Sequence, residues 1–473
     1  MTRTIADLPG PPRLPLLGNA HQLARTSRLH LTAEGWARRY GPIVRVSIGK
    51  RRIVAISNSE EIHRILRERP DGYRRWSEQE IVLREMGSEG LLPPGVFVAE
   101  GDTWKRQRRL VITALNTNHL NRYFDVVRTT TERLYRRLTD AASSGRVLDI
   151  SDELTSYTLD TISWLAFGHD LNTLEHHEVE LQDHIQRVFQ MTARRLAAPV
   201  PYWRWFRLPS DRALDRSIVE LRGAVRAFLE QARERIERRP ELREAPENLL
   251  EAMIVAQQDD ASLTDEEIIS NALVILSAGE DTTAHTLGWT LWLLAARPDV
   301  QTRLAQEADD LFGEDPLPVD YDTVNGLQYA EAVLRESMRL KTVAPLLALE
   351  PLADTTISDT QIPAGTRLLL LVRQAEFGEE SASEFDPQRW LDGDEARARK
   401  SLVFGAGPRF CPGRNLAFLE AKAALGMITR NFEIELDSTA GPVSEKFNFA
   451  MMPKGLRVRL HERTRDKLVP TSA

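Results

Sequence analysis

The residue with the most distinctive chemistry in this chain is its single cysteine, Cys411. One cysteine excludes an intramolecular disulfide and any zinc or iron–sulfur site built from several cysteines. The glycine- and proline-rich segment before it predicts a tight loop, and a helical pattern starts at Arg414. Cys411 is therefore expected at a helix N-terminus, where the dipole and free N–H groups favour a thiolate. A thiolate can act as a nucleophile or a metal ligand, and the alternative is a buried structural cysteine.

A second group of reactive residues interrupts the longest apolar helix of the sequence. The capping-box pattern from Thr264 to Glu267 predicts the start of this helix, which is expected to run to about Pro298. The segment from Gly279 to Thr283 places two acids and two threonines at its middle. Burying such groups is unfavourable unless they have partners or a function, and the alternative is a kink at a crowded helix crossing.

Two charged pairs on other predicted helices also suggest specific contacts. Glu336 and Arg339 lie three residues apart, and Arg389 follows from a turn, so one carboxylate can pair with two guanidinium groups. Without Arg389, the pair would be an ordinary surface ion pair. Trp104 and Arg108 share a helix face, which indicates either an amphipathic helix or two donors to an anionic group.

These segments together resemble the cytochrome P450 family. The segment Phe404-x-x-Gly407-x-Arg409-x-Cys411-x-Gly413 is similar to the complete haem-binding signature of that family. Three further segments are similar to its oxygen-activating helix, its Glu-Arg-Arg lock and its haem-propionate helix: Ala278 to Thr282; Glu336-x-x-Arg339 with Phe385-x-Pro387-x-Arg389; and Trp104-x-x-x-Arg108. They occur in the family's order and span residues 104 to 413.

The resemblance implies a cytochrome P450 fold, mainly α, with one helical domain and small β-sheets over residues 1–473. It implies haem b (iron protoporphyrin IX) as cofactor, with Cys411 as the metal ligand. Haem contacts are expected from Trp104, Arg108, Phe404, Gly407, Arg409, Cys411 and Gly413. Proton delivery is expected from Asp281 and Thr282, with Gly279 leaving room for dioxygen. A structural lock is expected from Glu336, Arg339 and Arg389.

The implied function is that of a haem-thiolate monooxygenase, which activates O2 and hydroxylates or otherwise oxidises a lipophilic small molecule. Electrons are expected from a separate acidic ferredoxin or flavodoxin, docking on two basic stretches, Thr103–Phe124 and Ala396–Leu419, that contain no acidic residue. The alternatives are a peroxide-using member of the family, a non-enzymatic haem sensor or electron carrier, and a helical protein without a cofactor.

Composition narrows the class of protein further. With 42% hydrophobic and 28% charged residues, the chain is expected to form a globule. Its net charge of −7 argues against nucleic-acid binding. Met1–Ala20 lacks the apolar run of a signal peptide or anchor, so a cytoplasmic protein without a membrane anchor is expected.

The elements that must position these residues are mostly helices. A proline-rich arm over residues 1–25 is expected to be extended. Strands are predicted at Ile43–Ile48, Arg52–Ser57, Thr366–Val372 and Leu456–Leu460. Helices are predicted at Asp102–Ala114, Tyr123–Thr139, Ser151–Phe167, Arg212–Arg238, Tyr329–Lys341 and Arg414–Arg430. The expected pocket segments are Gly87–Phe97, Val343–Leu349 and Ala450–Met452, and the aromatic segment Pro199–Phe206 is either a lid or ordinary packing.

Overall fold

A computed structural model describes residues 3–23, 28–49, 51–85, 95–115, 117–176, 180–198, 200–259, 263–377, 384–391, 400–448 and 450–464. The fold is mainly helical with small sheets, as predicted. The helices are α1 (Leu29–Tyr40), α2 (Ser59–Arg67), α3 (Ser77–Arg84), α4 (Gly101–Ala114), α5 (Thr117–Arg122), α6 (Phe124–Ser143), α7 (Ile150–Phe167), α8 (Thr173–His176), α9 (Glu180–Ala197), α10 (Pro209–Arg238), α11 (Leu249–Asp259), α12 (Asp265–Leu294), α13 (Pro298–Phe312), α14 (Tyr321–Gly326), α15 (Gln328–Leu340), α16 (Val372–Phe377) and α17 (Arg414–Asn431).

The strands form small sheets. They are β1 (Arg3–Thr4), β2 (Ile43–Ile48), β3 (Arg51–Ile56), β4 (Tyr73–Arg75), β5 (Leu148–Asp149), β6 (Leu346–Pro351), β7 (Thr355–Ile357), β8 (Thr360–Ile362), β9 (Arg367–Leu371), β10 (Phe432–Leu436), β11 (Ser444–Phe447), β12 (Met451–Lys454) and β13 (Arg457–Glu462). The largest sheet has the order β2-β3-β9-β6-β4, and the smaller ones are β1-β8-β7, β10-β13-β5 and β11-β12. The predicted hairpin is confirmed, because β2 and β3 pair antiparallel.

The predicted amphipathic helices are confirmed as α4, α6, α7, α10, α15 and α17, each to within about a turn at its ends. The spacing of apolar residues predicted these helices because one face of each packs on the main core, which lies around α12. The unpredicted helices include α1, α2, α9 and α13. Among the described residues, no helix is long and apolar enough to cross a membrane.

The central helix α12 starts where its capping box predicts. The Thr264 N–H donates to Glu267 Oε2 at 3.0 Å, and the Glu267 N–H donates to Thr264 Oγ1 at 3.2 Å. The helix ends at Leu294, earlier than predicted, because Pro298 begins the separate helix α13. Its middle crosses α7 closely: a Cβ on Gly279 would lie 2.6 Å from Ile162 Cγ1. The space that this glycine provides is therefore needed for the helix crossing, in line with the alternative interpretation above.

The N-terminal arm is less uniform than predicted. The proline segment at residues 8–13 has no helix, but Ile5–Asp7 and Ala20–Leu23 form 3-10 turns. The first turn forms because the Asp7 carboxylate accepts the Thr4 N–H at 2.9 Å. Ile5 and Leu8 are buried in the second core cluster, which anchors the arm to the β-sheets.

Candidate functional site

A large cavity brings together residues that are far apart in the sequence. Its volume is about 1490 Å³, and both the middle of α12 and the loop before α17 contribute to its wall. Thr282 lines it from α12, and Cys411 lines it from the loop. The remaining predicted residues on the wall are Trp104, Arg108, Gly279, Phe404, Arg409 and Gly413.

The loop around Cys411 is held by its own backbone. The Cys411 N–H donates to the Phe404 carbonyl at 2.8 Å, and the Phe404 ring packs on Phe418 with ring centres 5.4 Å apart. Burial raises the pKa of the Cys411 thiol above its ordinary value, although the Gly413 N–H and the nearby arginines lower it. The helix N-terminus is thus insufficient on its own to favour the thiolate, whereas coordination to a metal deprotonates a thiol outright.

Gly407 differs from the other predicted contact residues because it does not line the cavity. Its backbone φ is +68°, and a Cβ there would collide with the Leu66 carbonyl oxygen and lie 2.7 Å from Arg67 Cα. Both atoms belong to the end of α2. The glycine is therefore required by contact between the loop and α2, and the expected direct haem contact finds no support in this arrangement.

A cluster of arginines lies at the cavity wall. It includes Arg108 and Arg409, and Trp104 lines the wall beside them. The Arg409 guanidinium lies over the Trp104 ring, 4.5 Å from its centre, and Nη2 donates to Glu100 at 2.5 Å. Arg108 Nη2 donates to the Phe410 carbonyl at 2.6 Å, which fixes α4 against the cysteine loop. Burial lowers the pKa of Arg409 to about 10, so its charge is poorly solvated.

Two further arginines, Arg69 and Arg75, complete this cluster and were missed from the sequence. Both line the cavity, and burial lowers the pKa of Arg69 to about 8 and that of Arg75 to about 10. Arg75 Nε donates to the Phe97 carbonyl at 2.7 Å. The high density of arginines between residues 67 and 75 could have indicated an anion-binding segment. Glu68 and Asp71 in the same stretch made it look like an ordinary mixed-charge segment.

The cluster matches the chemistry of a flat cofactor with two carboxylates. Of the four guanidinium groups, those of Arg409 and Arg69 lie 2.5 and 3.9 Å from the Glu100 carboxylate. In the part of the chain that the structure describes, Nε and Nη2 of Arg69, Nε of Arg108 and Nε of Arg409 are buried without a hydrogen-bond partner. Buried guanidinium N–H groups without an acceptor are costly, and two propionate groups would supply acceptors for them. The donor set thus fits haem, with a thiolate for the iron and arginines for the propionates.

The polar residues of α12 are divided between two environments. Thr282 lines the cavity, and its Oγ1 donates to the Ala278 carbonyl at 2.8 Å. Asp281 is buried on the side of α9, where it accepts a hydrogen bond from Gln186 Nε2 at 3.1 Å and lies 4.0 Å from His285 Nε2. Asp281 does not line the cavity, whereas Thr282 and Thr283 do.

Glu280 is a second buried acid beside Asp281, and no function was expected for it. Its side chain is fully buried, and burial together with the adjacent Asp281 raises its pKa to about 8. The backbone carbonyl of Glu280 accepts a hydrogen bond from Thr158 Oγ1 of α7 at 2.9 Å. Glu280 is therefore a neutral acid at neutral pH.

Glu336, Arg339 and Arg389 meet in the interior away from the cavity wall. Glu336 is fully buried, accepts from Arg339 Nε at 2.9 Å, and lies 3.0 Å from Arg389 Nε. Trp390 Nε1 also donates to this carboxylate at 2.8 Å, which the sequence motif did not indicate. One carboxylate thus joins α15 to the segment that precedes the cysteine loop.

The expected pocket segments contribute unequally. Val343, Ala344 and residues 346–348 line the cavity, whereas Leu349 is fully buried in the sheet. Ala450 lines it, but Met451 and Met452 do not. Residues 86–94 of the first segment lie outside the described residues, and Gly95 to Phe97 line the cavity. In the aromatic segment, Tyr202 lines the cavity, while Trp205 and Phe206 are exposed.

Comparison with known proteins identifies the family. The family model for cytochrome P450 matches residues 8–460, which is nearly the whole chain. The chain belongs to the cytochrome P450 family. It is a haem-thiolate monooxygenase of the oxidoreductase class, with haem b as cofactor and a redox partner as its source of electrons. The predictions of fold class and enzyme class are confirmed, and the alternatives of a non-enzymatic haem protein and of a cofactor-free protein are wrong.

Relatives of this P450 come from plants and animals. It is 28% identical to isoflavone 2'-hydroxylase of Glycyrrhiza echinata over 90% of this chain and 86% of the relative. It is 25% identical to the chloroplastic protein LUTEIN DEFICIENT 5 of Arabidopsis thaliana, over 97% and 78%. It is 26% identical to cytochrome P450 3A13 of Mus musculus, over 90% and 85%.

Proposed function

We propose that this P450 hydroxylates a lipophilic small molecule with O2 at a haem whose iron is bound by Cys411. The observation that carries the proposal is that Cys411 and Thr282 line the same cavity, with the arginine cluster on its wall. Thiolate-bound haem supplies electron donation that favours cleavage of the O–O bond. The protein supplies orientation, protons and a dry pocket.

Four arginines would hold the propionates. Arg108 and Arg409 were expected from sequence, and Arg69 and Arg75 add two buried charges at the same wall. Glu100 keeps Arg409 in place through its 2.5 Å contact. Phe404 and Gly413 shape the wall around Cys411, and Gly407 contributes indirectly by seating the loop on α2.

Thr282 and Asp281 have different roles in the proposed delivery of protons. The Thr282 hydroxyl lines the cavity together with Ser277, Thr283 and Thr286 of α12, and it donates into the cavity once it turns away from the Ala278 carbonyl. Asp281 lies behind it, buried under Gln186, and holds a carboxylate that can take up and release a proton. The same acid–alcohol pair argues against a peroxide-using enzyme, which has no need of such delivery.

The substrate class follows from the cavity wall on the far side of the cysteine loop. The side chains there are mostly apolar and come from α1, the segment after α15, β6, β9 and the β11–β12 hairpin: Leu29, Trp36, Val343, Leu346, Leu347, Leu369, Phe447 and Ala450. Such a wall favours an apolar molecule over a sugar or a nucleotide, because polar groups would lose their hydrogen bonds to water.

The partner that delivers electrons is proposed to be an acidic ferredoxin or flavodoxin. The hydrogen bond from Arg108 to Phe410 places the basic helix α4 beside the cysteine loop. Arg109, Arg122 and Arg414 are exposed in this region. Arg106 is less suitable than the sequence indicated, because it pairs with the buried Glu267 at 2.7 Å. Arg397 and Arg399 lie outside the described residues.

The ligand assignment is tested by spectroscopy of the reduced carbon monoxide complex. The wild type should give the red-shifted band that thiolate ligation produces, and Cys411→His should lose it while still binding haem. Survival of the band in this variant would contradict the assignment. A screen of lipophilic compounds for spin-state shifts of the ferric haem tests the substrate class, and shifts only with polar compounds would overturn it.

A further inference from the structure

A buried cluster of charged side chains lies beside the cavity, away from the cysteine loop. Glu445 of β11 accepts a hydrogen bond from Lys341 Nζ at 2.6 Å and one from Arg373 Nη1 at 3.0 Å. Its other oxygen lies 2.8 Å from His30 Nε2. Arg373 also donates to both oxygens of Glu34, at 2.9 and 2.8 Å. These five residues are called the Glu445 cluster below.

The cluster is almost completely removed from solvent. The exposed fraction is 0% for the His30 side chain, 4% for Arg373 and 11% for Glu445. Burial alone would raise the pKa of Glu445, but hydrogen bonds from His30 and Lys341 and the charge of Arg373 hold it well below its ordinary range. Glu445 is therefore ionised, and its contacts have the strength and fixed geometry of buried, charge-assisted hydrogen bonds.

Each cation or histidine of the cluster is next to a cavity-lining residue in the sequence. His30 follows Leu29, Lys341 precedes Thr342 and Arg373 follows Val372, and these three neighbours all line the cavity. Glu445 itself is two residues before Phe447, which also lines it. One carboxylate thus connects four wall segments, the outermost of which are 415 residues apart in the chain.

Direct contacts link the Glu445 cluster to a side chain of the cavity wall and to α12. The His30 ring packs against the Phe447 ring, with ring centres 5.5 Å apart. Lys341 Nζ lies 4.7 Å from the ring centre of Trp289 and 4.9 Å from that of Trp292, both on α12. A shift of Glu445 would therefore move Phe447 relative to α1 and to α12.

We propose that Glu445 is a positioning residue for substrate selection. It fixes the β11–β12 hairpin, and with it Phe447, against α1, the segment after α15 and the start of α16. The proposal rests on the proposed function in one respect, namely that this cavity receives the substrate. Arg373 has a central place in this scheme, because it joins Glu34 to Glu445.

The test uses the haem-loaded protein and alkyl imidazoles as probes. Imidazole, 1-butylimidazole and 1-dodecylimidazole bind the same iron, and the longest alkyl chain contacts the largest part of the apolar cavity wall. In Glu445→Gln, we expect the Kd of imidazole to stay within about twofold of wild type, and that of 1-dodecylimidazole to rise about tenfold. Glu435→Gln is the matched control, because Glu435 also pairs with a histidine, His461, at 2.8 Å, but on an exposed sheet.

A second variant guards against loss of folding. Lys341→Met combined with Glu445→Gln removes one cation and one anion together, so the remaining Arg373 and Glu34 still balance. The same selective loss of the long probe is expected. A lowered Tm with an unchanged ratio of the two Kd values in either variant would overturn the proposal. Absence of any imidazole shift in the wild type would instead contradict an open coordination position on the haem iron in this cavity, and with it the proposed function.

Discussion

At the scale of single residues, Thr282 and Asp281 are adjacent, but only Thr282 reaches the cavity. The Asp281 carboxylate is held by Gln186 from α9 and is nearly buried. Proton transfer through this pair would therefore start on the α9 side of α12 and end at the cavity. Damage to either residue should affect the fate of electrons and leave haem binding intact.

The first prediction concerns coupling of electron use to product. Thr282→Ala and Asp281→Asn should divert most electrons to reduced oxygen species, with product formation falling by ~10²-fold. Product per electron pair consumed is the quantity to measure. Thr302→Ala is the matched control, because Thr302 Oγ1 makes the same bond to the carbonyl four residues earlier, at 2.9 Å, on the exposed face of α13. Full coupling in both variants would contradict a role of Thr282 and Asp281 in proton delivery.

The second prediction is a pH dependence of stability due to Glu280. Its pKa is raised to about 8 in the fold from an ordinary value of 4.5, so the folded state binds the proton more tightly than the unfolded state. Its contribution is fully present below pH 4.5 and is lost as the pH rises to about 8. Urea unfolding at several pH values should show wild type losing up to ~1.4 kcal/mol per pH unit relative to Glu280→Gln. Parallel pH curves would show that Glu280 is ionised in the fold.

At the scale of elements, the cysteine loop depends on two supports that are distant in sequence. Gly407 seats the loop on the end of α2, and Glu336 of α15 holds the preceding segment through Arg389 and Trp390. Neither Gly407 nor Glu336 lines the cavity, although Leu66 at the end of α2 does. Both should therefore determine whether haem is retained, and neither should select the substrate.

The third prediction compares two glycines of the same loop. Gly405 and Gly407 both have positive φ, +74° and +68°, so alanine at either costs ~1–2 kcal/mol of backbone strain. Only at Gly407 would the new Cβ also collide with α2. At Gly405 the nearest atom to the new Cβ would be Phe410 Cα, at 3.9 Å. Gly407→Ala should lose most of its haem and lower the Tm further than Gly405→Ala. Equal effects in the two variants would show that the contact with α2 is unimportant.

The fourth prediction concerns the lock. Glu336→Ala leaves two buried arginines without their carboxylate and should lower the free energy of unfolding by ~3–5 kcal/mol. Glu234→Ala is the control, because Glu234 pairs with Arg238 at 2.8 Å on an exposed face of α10 and should contribute less than ~1 kcal/mol. Denaturant unfolding and haem content measure both effects. A Glu336 variant with normal stability would mean that the arginines find other partners.

At the scale of the whole molecule, a chain with a net charge of −7 carries basic side chains next to the cysteine loop. Exposed Phe410 and Ile112, 44% and 45% accessible, lie in the same region as Arg109 and Arg122. An apolar centre with cationic neighbours suits a partner of opposite charge, because charge complementarity increases the rate of encounter.

The fifth prediction is the salt dependence of reduction. With an acidic ferredoxin or flavodoxin, the rate of haem reduction should fall as ionic strength rises, since salt screens the attraction. Arg109→Glu and Arg122→Glu should slow reduction at low salt by about tenfold and flatten the salt profile. Arg216→Glu, an exposed arginine of α10, is the control with matched change in net charge. A flat profile in the wild type would place the partner elsewhere.

The sequence by itself determined the mainly helical fold, the start of α12 and the identity of the residues around Cys411. These features depend on local rules: periodicity, a capping box, and a short motif in which nearly every position is specific. The prediction of a single domain over residues 1–473 and that of a cytoplasmic location stay predictions.

Only the tertiary structure decided which residues from distant segments meet. Arg69 and Arg75 join Arg108 and Arg409 because β4 and α4 are brought to one wall, and no periodicity connects them. Gly407 is required by α2 and Gly279 by α7, although the motif suggested cofactor and dioxygen for these two glycines. Glu445 joins four segments through side chains alone. Such contacts arise when segments that are distant in sequence pack together, so they are visible only in the folded structure.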